Sequence, residues 1–225
     1  MTGLDSGMKT RMVLLDLDGT LVDTAHDLGY ALNLQREKHG LAHLPHEMIR
    51  PYASHGSKGL LSIGFNLSPE DTDFAGMREE YLALYDRVLA RTPVLFDGVA
   101  ELFSQLENND VLWGVVTNKP RRFTVPLLEA INLMQRAACV VCGDDAIAPK
   151  PNPATLLLAC EKTNIQPQSC WYVGDAERDI QAGKAAGMKT AVAMYGYLDV
   201  TDKPAEWGAD AFIATPLEIV AALSI

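Results

Sequence analysis

The sequence predicts an α/β protein with a central parallel sheet flanked by helices, and a smaller helical part inserted after the first strand. Two observations support this fold class. Short apolar runs without polar alternation recur along the chain, each followed by a stretch with helical spacing, and such runs are typical of strands buried on both faces. After the first run, this rhythm is interrupted by roughly 70 residues, too many for a single crossover connection.

The strands and helices of the sheet part follow in chain order from that alternation. The predicted strands are Met12–Leu15, Val111–Val116, Ala138–Val141, Cys170–Val173, Thr190–Ala193 and Ala211–Ile213. The predicted helices are Gly98–Leu106, Phe123–Ile131, Pro153–Lys162 and Asp179–Ala186. We therefore expect a doubly wound sheet covered by helices.

The inserted segment has apolar residues at helical spacing, which predicts helices over Thr24–Lys38, Gly59–Phe65 and Pro69–Leu89. Thr24 and Ser68 are the expected N-caps of the first and last of these helices. The chain is therefore expected to divide into a core domain, residues 1–22 and 92–225, and a helical cap domain, residues 23–91.

The composition restricts the partners and the compartment. The 225 residues include 29 acidic and 19 basic side chains, for a formal net charge of −10. This negative field disfavours nucleic acid and membrane surfaces as partners, so a phosphorylated substrate must meet a local positive site. No apolar run is long enough to span a bilayer, and Met1–Met12 lacks the apolar stretch of a signal peptide, so we expect a cytoplasmic protein.

Four cysteines raise the question of a metal or redox role, because Cys139 and Cys142 have Cys-x-x-Cys spacing. Both fall in the β-like run Ala-Cys-Val-Val-Cys-Gly, where an odd spacing sends the two side chains to opposite faces. No second ligand pair follows them, so we interpret all four as ordinary buried cysteines, the other two being Cys160 and Cys170.

The most informative stretch is Asp-Leu-Asp-Gly-Thr at residues 16–20, directly after the first predicted strand. Ligand crevices of open α/β sheets lie at this end of a central strand. Asp16 and Asp18 repel each other unless a proton or a cation separates them, and Mg²⁺ prefers carboxylate oxygen and water as ligands. The alternative is a loop whose aspartates only bind water or cap a helix.

Three further stretches add groups that suit a phosphate site. Thr117 and Asn118 end the next long strand with a hydroxyl and an amide, which can hydrogen-bond phosphate oxygens. Lys150 precedes a proline-marked helix start and can balance charge there, although an isolated lysine in a turn is more often a surface residue. Asp175 and Asp179 follow another strand about one helical turn apart, so both can serve one metal site.

These four stretches, in this order, resemble the haloacid dehalogenase superfamily of phosphohydrolases. The pattern of that superfamily is Asp-x-Asp-x-Thr, then Thr or Ser, then Lys, then Gly-Asp-x-x-x-Asp, and the similarity covers the chain from Val13 to Thr190. The resemblance implies a Rossmann-like core with a helical cap inserted after the first motif. It also implies a Mg²⁺-dependent phosphatase that works through an aspartyl-phosphate intermediate.

The resemblance implies a role for each motif residue. Asp16 would be the nucleophile, and Asp18 the general acid and then the base that activates water. An acid at position 18 favours a phosphatase or a phosphomutase over a dehalogenase. The residues implied to hold the phosphoryl oxygens are Thr117, Asn118 and Lys150. The implied metal ligands are Asp16, the backbone carbonyl of Asp18, and Asp175, with Asp179 in support.

Within the superfamily, the chain is similar to the phosphoglycolate phosphatase group, for example in Val-Thr-Asn-Lys-Pro at residues 116–120. It is more similar still to a bacterial branch that dephosphorylates N-acetylmuramic acid 6-phosphate in cell-wall recycling, in residues 112–120 and 207–210. The implied partner is a small phosphorylated metabolite, with N-acetylmuramic acid 6-phosphate and 2-phosphoglycolate as the leading compounds.

The cap contains all five histidines: His26, His39, His43, His46 and His55. They are interpreted as solvent-facing, with a metal site as the alternative. The stretch from Ser54 to Gly59 combines small residues with two potential cations. We predict that His55, Ser57 or Lys58 contacts the non-phosphate part of the substrate; the alternative is a helix-capping turn.

Two competing functions stay open. A phosphomutase would return the phosphate to another oxygen of its substrate, and a non-catalytic binding protein could be built on the same fold. Loss of Asp16 or Asp18 would have favoured the binding protein, but both are present. A monomer and a homodimer are both compatible with the sequence.

Overall fold

The apolar runs form a parallel sheet in the computed structural model, which describes residues 9–223. In chain order, the strands are β1 (Met12–Leu15), β2 (Val22–Asp23), β3 (Val94–Leu95), β4 (Leu112–Val116), β5 (Val140–Val141), β6 (Cys170–Gly174), β7 (Lys189–Ala193) and β8 (Ala211–Ile213). Six of them form the parallel sheet in the order β5-β4-β1-β6-β7-β8, whereas β2 and β3 form a separate antiparallel pair. β1 is thus central, between β4 and β6.

The helices surround this sheet and fill the insert. In chain order, they are α1 (Ala25–Lys38), α2 (His46–Ala53), α3 (Gly56–Phe65), α4 (Phe74–Val88), α5 (Val99–Asn108), α6 (Arg121–Ala130), α7 (Ala154–Thr163), α8 (Glu177–Ala186) and α9 (Glu218–Leu223). Within the described range, none is long and apolar enough to cross a membrane. The stretch judged for a signal peptide, Met1–Met12, lies mostly outside the described residues.

Both faces of the sheet are covered, which confirms the predicted fold class. Val13 and Leu15 point into the apolar cluster under α5, α6 and α9, whereas Met12 and Leu14 point into the cluster under α7 and α8. All four side chains are buried. Since burying one such side chain contributes about 1.5–3 kcal/mol, strands apolar on both faces are stable only in this layered arrangement.

All four cysteines are buried, as the sequence predicted. Cys139 lies in the cluster under α7 and α8 and Cys142 in the opposite cluster, as their odd spacing predicts. The four thiols are free of disulfides. Burial raises the pKa of both Cys139 and Cys142 to about 11, which keeps the thiols neutral.

Helices α1–α4 pack around a third apolar cluster. Its buried members from the insert include Leu32, Ile49 and Leu61, and the sheet part contributes Phe123 and Tyr197. The insert is therefore attached to the sheet part by a shared apolar cluster as well as by its two linkers.

The insert differs from the sequence prediction in three places. Helix α2 was not predicted, and α3 begins at Gly56 rather than at Gly59. The helix predicted from Pro69 begins at Phe74, and Ser68 is not its N-cap. The backbone N–H and hydroxyl of Ser68 both donate to Asp71 and close a turn instead. The prediction failed there because Ser-Pro is a turn signal as well as a helix-start signal.

The two linkers of the insert run side by side. Val22 pairs with Leu95 and Asp23 with Val94 in the β2–β3 pair. From the first turn of α1, the buried carboxylate of Asp27 accepts hydrogen bonds from the second linker, from the backbone N–H groups of Arg91 and Thr92 and from the Thr92 hydroxyl. The chain therefore enters and leaves the insert at one place.

Candidate active site

The predicted chemical groups meet at the carboxyl edge of the sheet. Asp16, Thr117 and Asp175 directly follow the neighbouring strands β1, β4 and β6, and all three are buried. Lys150 and Asp179 reach the same place from the loop before α7 and the first turn of α8. The structure thus brings together groups separated by more than a hundred residues, because parallel strands end at one edge.

Lys150 connects these groups. Its fully buried Nζ lies 2.9 Å from Asp16 Oδ1 and 2.7 Å from Asp179 Oδ1. It also donates to the carbonyl oxygen of Val116 at 3.2 Å and to the hydroxyl of Tyr172 at 2.6 Å. A buried ammonium is tolerated only where such partners compensate its lost hydration, so the lysine is a fixed part of the site rather than a surface residue.

Asn118 holds the backbone of Lys150. Its Nδ2 donates to the Lys150 carbonyl at 2.9 Å, and its Oδ1 accepts from the Lys150 N–H at 2.8 Å. Both ends of the side-chain amide are therefore engaged by the Lys150 backbone, and the predicted role of Asn118 in phosphate binding stays a prediction. Thr117 keeps the predicted place, with its Oγ1 accepting from the N–H of Lys119 at 3.1 Å.

Three carboxylates form the acidic centre of the site. Oxygen atoms of Asp16, Asp175 and Asp179 lie within 4.8 Å of one another, and all three residues are buried. Asp175 Oδ2 accepts from the N–H of Tyr197, but Oδ1 has no hydrogen-bond partner within residues 9–223. A buried carboxylate oxygen without a partner, beside two further carboxylates, fits the oxygen-rich ligand set of a divalent cation.

The pKa values of two of the three carboxylates are raised, because burial disfavours the charged form. Burial, with the charges of Asp179 and Asp16, raises the pKa of Asp175 to about 7. Burial also raises the pKa of Asp16 against the opposing charge of Lys150. Burial acts to raise the pKa of Asp179 too, but Lys150 and Arg178 together lower it below its ordinary value. A bound cation would favour the anionic form of all three groups.

Two glycines give Asp175 its space. Gly19 has φ +83°, and a Cβ added there would lie 2.1 Å from Asp175 Oδ2. A Cβ added at Gly196 would lie 2.3 Å from Asp175 Cβ. The backbone thus approaches the acidic centre more closely than any side chain would allow.

Asp18 stands apart from this centre and faces the cavity above it. It is partly exposed, and its Oδ1 and Oδ2 lie 3.0 and 3.3 Å from Lys119 Nζ. Thr24, the residue before α1, donates its hydroxyl to Asp18 rather than capping the helix. Lys119 also lies over the ring of Tyr85, with Nζ 4.8 Å from the ring centroid. The sequence had not marked Lys119, since its partner lies 101 residues away.

A cavity of about 850 Å³ separates the sheet edge from helices α2, α3 and α4. Asp16, Asp18, Thr117 and Lys150 lie on its floor, together with Asn118 and Lys119. The predicted contact residues His55, Ser57 and Lys58 line it from the start of α3. Arg78 of α4, not marked by the sequence, donates from Nε to Ser57 Oγ at 3.1 Å and lines the same wall.

Arg178 joins the floor to the cap. It precedes Asp179 in the chain, and its guanidinium donates to the carbonyl oxygen and the hydroxyl of Ser54 at 2.8 and 3.0 Å. Burial, with the charge of Arg178, lowers the pKa of His55. The sequence could not identify Arg178 because its partner lies on the insert, 124 residues away.

The other cap histidines do not form a metal site in the described part of the chain. His26 and His46 stack with ring centroids 4.0 Å apart, and His39 Nε2 lies 2.7 Å from Glu80. His43 is exposed, 3.6 Å from Glu37. The described groups with metal-ligand geometry contain cysteine and aspartate only.

Comparison with known proteins identifies the class that this sheet and site define. A sequence profile of the family described as haloacid dehalogenase-like hydrolase matches residues 13–193. The chain therefore belongs to the haloacid dehalogenase-like hydrolases, and the predicted superfamily is confirmed. Within that family, the enzyme is a phosphatase, a hydrolase of phosphoric monoesters.

Individual relatives cover almost the whole chain. A Pseudomonas putida protein named N-acetylmuramic acid 6-phosphate phosphatase is 41% identical over 212 residues, which cover 94% of this chain and 95% of that protein. A Xanthomonas campestris protein named phosphoglycolate phosphatase is 36% identical over 93% of this chain and 94% of its own length. The crystal structure of a predicted phosphoglycolate phosphatase from Haemophilus somnus superposes with a TM-score of 0.82 at 23% identity, covering 95% of this chain and 97% of that one, which supports the fold.

Proposed function

We propose that the enzyme is a Mg²⁺-dependent phosphatase that dephosphorylates a small phosphorylated metabolite through an aspartyl-phosphate at Asp16. The observation that supports this most directly is the placement of Asp16. Its carboxylate lies at the end of the central strand, 2.9 Å from Lys150 Nζ, and forms part of the cavity floor. A nucleophile needs this combination of fixed position and access to substrate.

The proposed reaction divides between the two aspartates. Asp16 attacks phosphorus, and Asp18 gives a proton to the leaving oxygen and then takes one from the attacking water. Asp18 suits this role because it is partly exposed toward the cavity, whereas Asp16 is buried. Thr117 and Lys150 hold phosphoryl oxygens. Asn118 acts as a positioning residue, since both ends of its amide hold the Lys150 backbone.

The proposed cofactor site consists of Asp16, the backbone carbonyl of Asp18, and Asp175, with Asp179 in support. The partnerless Oδ1 of Asp175 and the raised pKa values of Asp16 and Asp175 support a cation at this place. Bound there, Mg²⁺ would offset the carboxylate charge and stabilise the charge on the transferring group.

We propose that residues 23–91 act as a cap over a core of residues 1–22 and 92–225. The apolar cluster formed mostly by α1–α4 and the paired linkers β2 and β3 support this division. Cap helices α2–α4 form one wall of the cavity, so the cap excludes water and selects the leaving group.

The leading substrates in this proposal are N-acetylmuramic acid 6-phosphate and 2-phosphoglycolate, the compounds in the names of the relatives. The cavity favours the larger one. Its volume is about 850 Å³, and the aromatic rings of Tyr52, Tyr81, Tyr85 and Phe123 line it. Such walls suit a sugar ring, whereas a two-carbon acid would leave most of the space unfilled.

The test is phosphate release from a panel of N-acetylmuramic acid 6-phosphate, 2-phosphoglycolate, hexose phosphates and nucleoside monophosphates. We expect turnover of one sugar acid phosphate with Mg²⁺, loss of turnover in EDTA, and a fall in kcat of about 10⁴-fold or more in Asp16→Asn. An unchanged unfolding midpoint is the control for folding. Turnover retained by Asp16→Asn would contradict the proposed nucleophile.

The same experiment separates the alternative functions. A phosphomutase would consume substrate and give an isomeric phosphate ester without free phosphate. A binding protein would retain the ligand without turnover. Acid quenching of the wild-type enzyme during turnover should leave phosphate covalently attached to Asp16, and peptide mapping checks the position.

A further inference from the structure

Basic side chains are concentrated in the cavity of this acidic protein. Five of the 19 lysine and arginine residues line it, against the two carboxylates of Asp16 and Asp18: Lys58, Arg78, Lys119, Lys150 and Arg178. A chain with a net charge of −10 thus presents a positive interior at one site. Charges of one sign gathered around one cavity repel each other, so an anionic ligand is expected to balance them.

The pairing of these cations distinguishes the floor from the cap. On the floor, Lys119 contacts Asp18 at 3.0 Å, and Lys150 contacts both Asp16 and Asp179. On the cap side, neither Lys58 nor Arg78 forms a salt bridge with any carboxylate of residues 9–223. Arg178 forms no such salt bridge either, but its guanidinium donates to Ser54. The unpaired charges of Lys58 and Arg78 therefore lie on the wall formed by α3 and α4.

Arg78 is held ready for a ligand. Its Nε donates to Ser57 Oγ, and no other hydrogen bond from its guanidinium to residues 9–223 is formed. The two terminal nitrogens are thus free to bind two oxygens of a planar carboxylate side by side, an arrangement that arginine favours. Lys58 lines the same wall one residue beyond Ser57. The first turn of α3 carries no acidic residue that would neutralise them.

We propose that Arg78 and Lys58 form a second anion subsite that binds a carboxylate of the substrate, so that the enzyme selects phosphate esters of carboxylic acids. This inference rests on the proposed phosphatase function and specifies its substrate class. Both compounds named for the relatives carry such a group: the carboxylate of glycolate and the lactyl carboxylate of N-acetylmuramic acid. The phosphate takes the floor, and the carboxylate takes the cap.

The test compares two sugars that differ only in the lactyl ether that carries the carboxylate, N-acetylmuramic acid 6-phosphate and N-acetylglucosamine 6-phosphate. We expect wild-type enzyme to prefer the acid by about 10- to 100-fold in kcat/KM, the range of one charged hydrogen-bonded contact. Arg78→Gln should remove most of that preference by raising KM for the acid, and leave kcat/KM for the other sugar unchanged. Lys58→Gln should do the same to a smaller extent.

The matched control is Arg87→Gln, which removes an exposed arginine from the same helix without touching the cavity. It should change kcat/KM for neither sugar phosphate. Equal loss for both sugars in Arg78→Gln would show a structural role and overturn the proposal, as would a wild type indifferent to the lactyl group.

A binding measurement keeps this proposal separate from the proposed catalysis. Calorimetric titration of the Asp16→Asn protein with each sugar phosphate should show the same preference for the acid, lost when Arg78→Gln is added. If neither sugar releases phosphate from wild type, the proposed function fails for these compounds. The titration still decides the subsite, since equal affinity for both sugars would overturn it.

Discussion

The floor and the cap wall of the cavity are built in opposite ways. On the floor, Lys150 Nζ is fully buried and has four partners from different elements. On the cap wall, His55, Lys58 and Arg78 are exposed, and a single hydrogen bond joins Arg78 to Ser57. Buried contacts thus fix the side chains at the sheet edge, whereas those on the cap wall have few partners, so we expect substitutions on the cap wall to disturb the fold less.

The largest expected difference in stability is between a lysine-to-methionine substitution on the cavity floor and the same substitution on the cap wall. Lys150→Met leaves the carboxylates of Asp16 and Asp179 buried without their cation, which should destabilise the protein by about 3–5 kcal/mol. It should also lower kcat by about 10³-fold or more, because the phosphoryl group loses its positive partner. Lys58→Met should stay within the roughly 0.5 kcal/mol typical of surface substitutions. Urea unfolding and steady-state kinetics measure both.

Similar stabilities of these two variants would contradict the comparison. A protein that unfolds on losing Lys150 would still agree with it, and Lys150→Arg then becomes the informative variant. Its larger guanidinium keeps the charge but cannot keep all four contacts, so folding should recover more than activity does.

An intermediate difference in stability and kcat is expected between Asn118, which holds the backbone of Lys150, and Ser57, which accepts a hydrogen bond from Arg78. Asn118→Ala removes both hydrogen bonds to the Lys150 backbone and leaves buried groups unsatisfied, at a cost of about 1–3 kcal/mol and about a tenfold fall in kcat. Ser57→Ala removes one exposed contact of Arg78 and should leave stability unchanged within error. Thermal unfolding and steady-state kinetics on the acid substrate measure stability, kcat and KM for both variants. A fall in kcat in Ser57→Ala but not in Asn118→Ala would contradict the assignment of Asn118 as the positioning residue.

The smallest expected effect concerns the cap and depends on pH. Burial acts to raise the pKa of Glu80, but hydrogen bonds from Lys38, His39 and Gln35 outweigh it and lower the pKa to about 2. A folded-state pKa below the ordinary 4.5 gives stability that is complete above 4.5 and is lost as pH falls toward 2.

Because Glu80 is partly exposed, solvent screening limits this contribution to roughly 0.5–1 kcal/mol. Glu80→Gln should lose that amount at pH 7 and match wild type near pH 2. Urea unfolding across this pH range measures the gap in free energy of unfolding between wild type and Glu80→Gln, with Glu79→Gln on the same helix as the control. A gap that widens on acidification would contradict the assignment.

The sequence predicted the sheet and the floor well because both depend on local signals. An unbroken apolar run marks a buried strand, and a parallel sheet places the residue after each such run at a common edge. For this reason, the positions of Asp16, Thr117 and Asp175 were available from the sequence. The predicted strands Met12–Leu15 and Ala211–Ile213 have the observed bounds.

The parts that were missed depend on contacts between distant segments. No local sequence pattern marks the three cavity residues Lys119, Arg178 and Arg78, which reach the cavity only because distant segments pack together. Helix α2 is short and contains Pro51, so its pattern resembles a turn. The sequence also did not reveal that the side-chain amide of Asn118 holds the backbone of Lys150, 32 residues away.

The pairing of β2 with β3 has a consequence for replacement of the insert. Because the chain leaves the sheet part at Val22 and returns beside it at Leu95, both covalent connections of the insert lie at adjacent backbone positions. An insertion whose ends meet adds little constraint to its host. We therefore expect the sheet part to accept a helical segment of different length between the same two positions, provided that the segment again covers Phe123 and Tyr197.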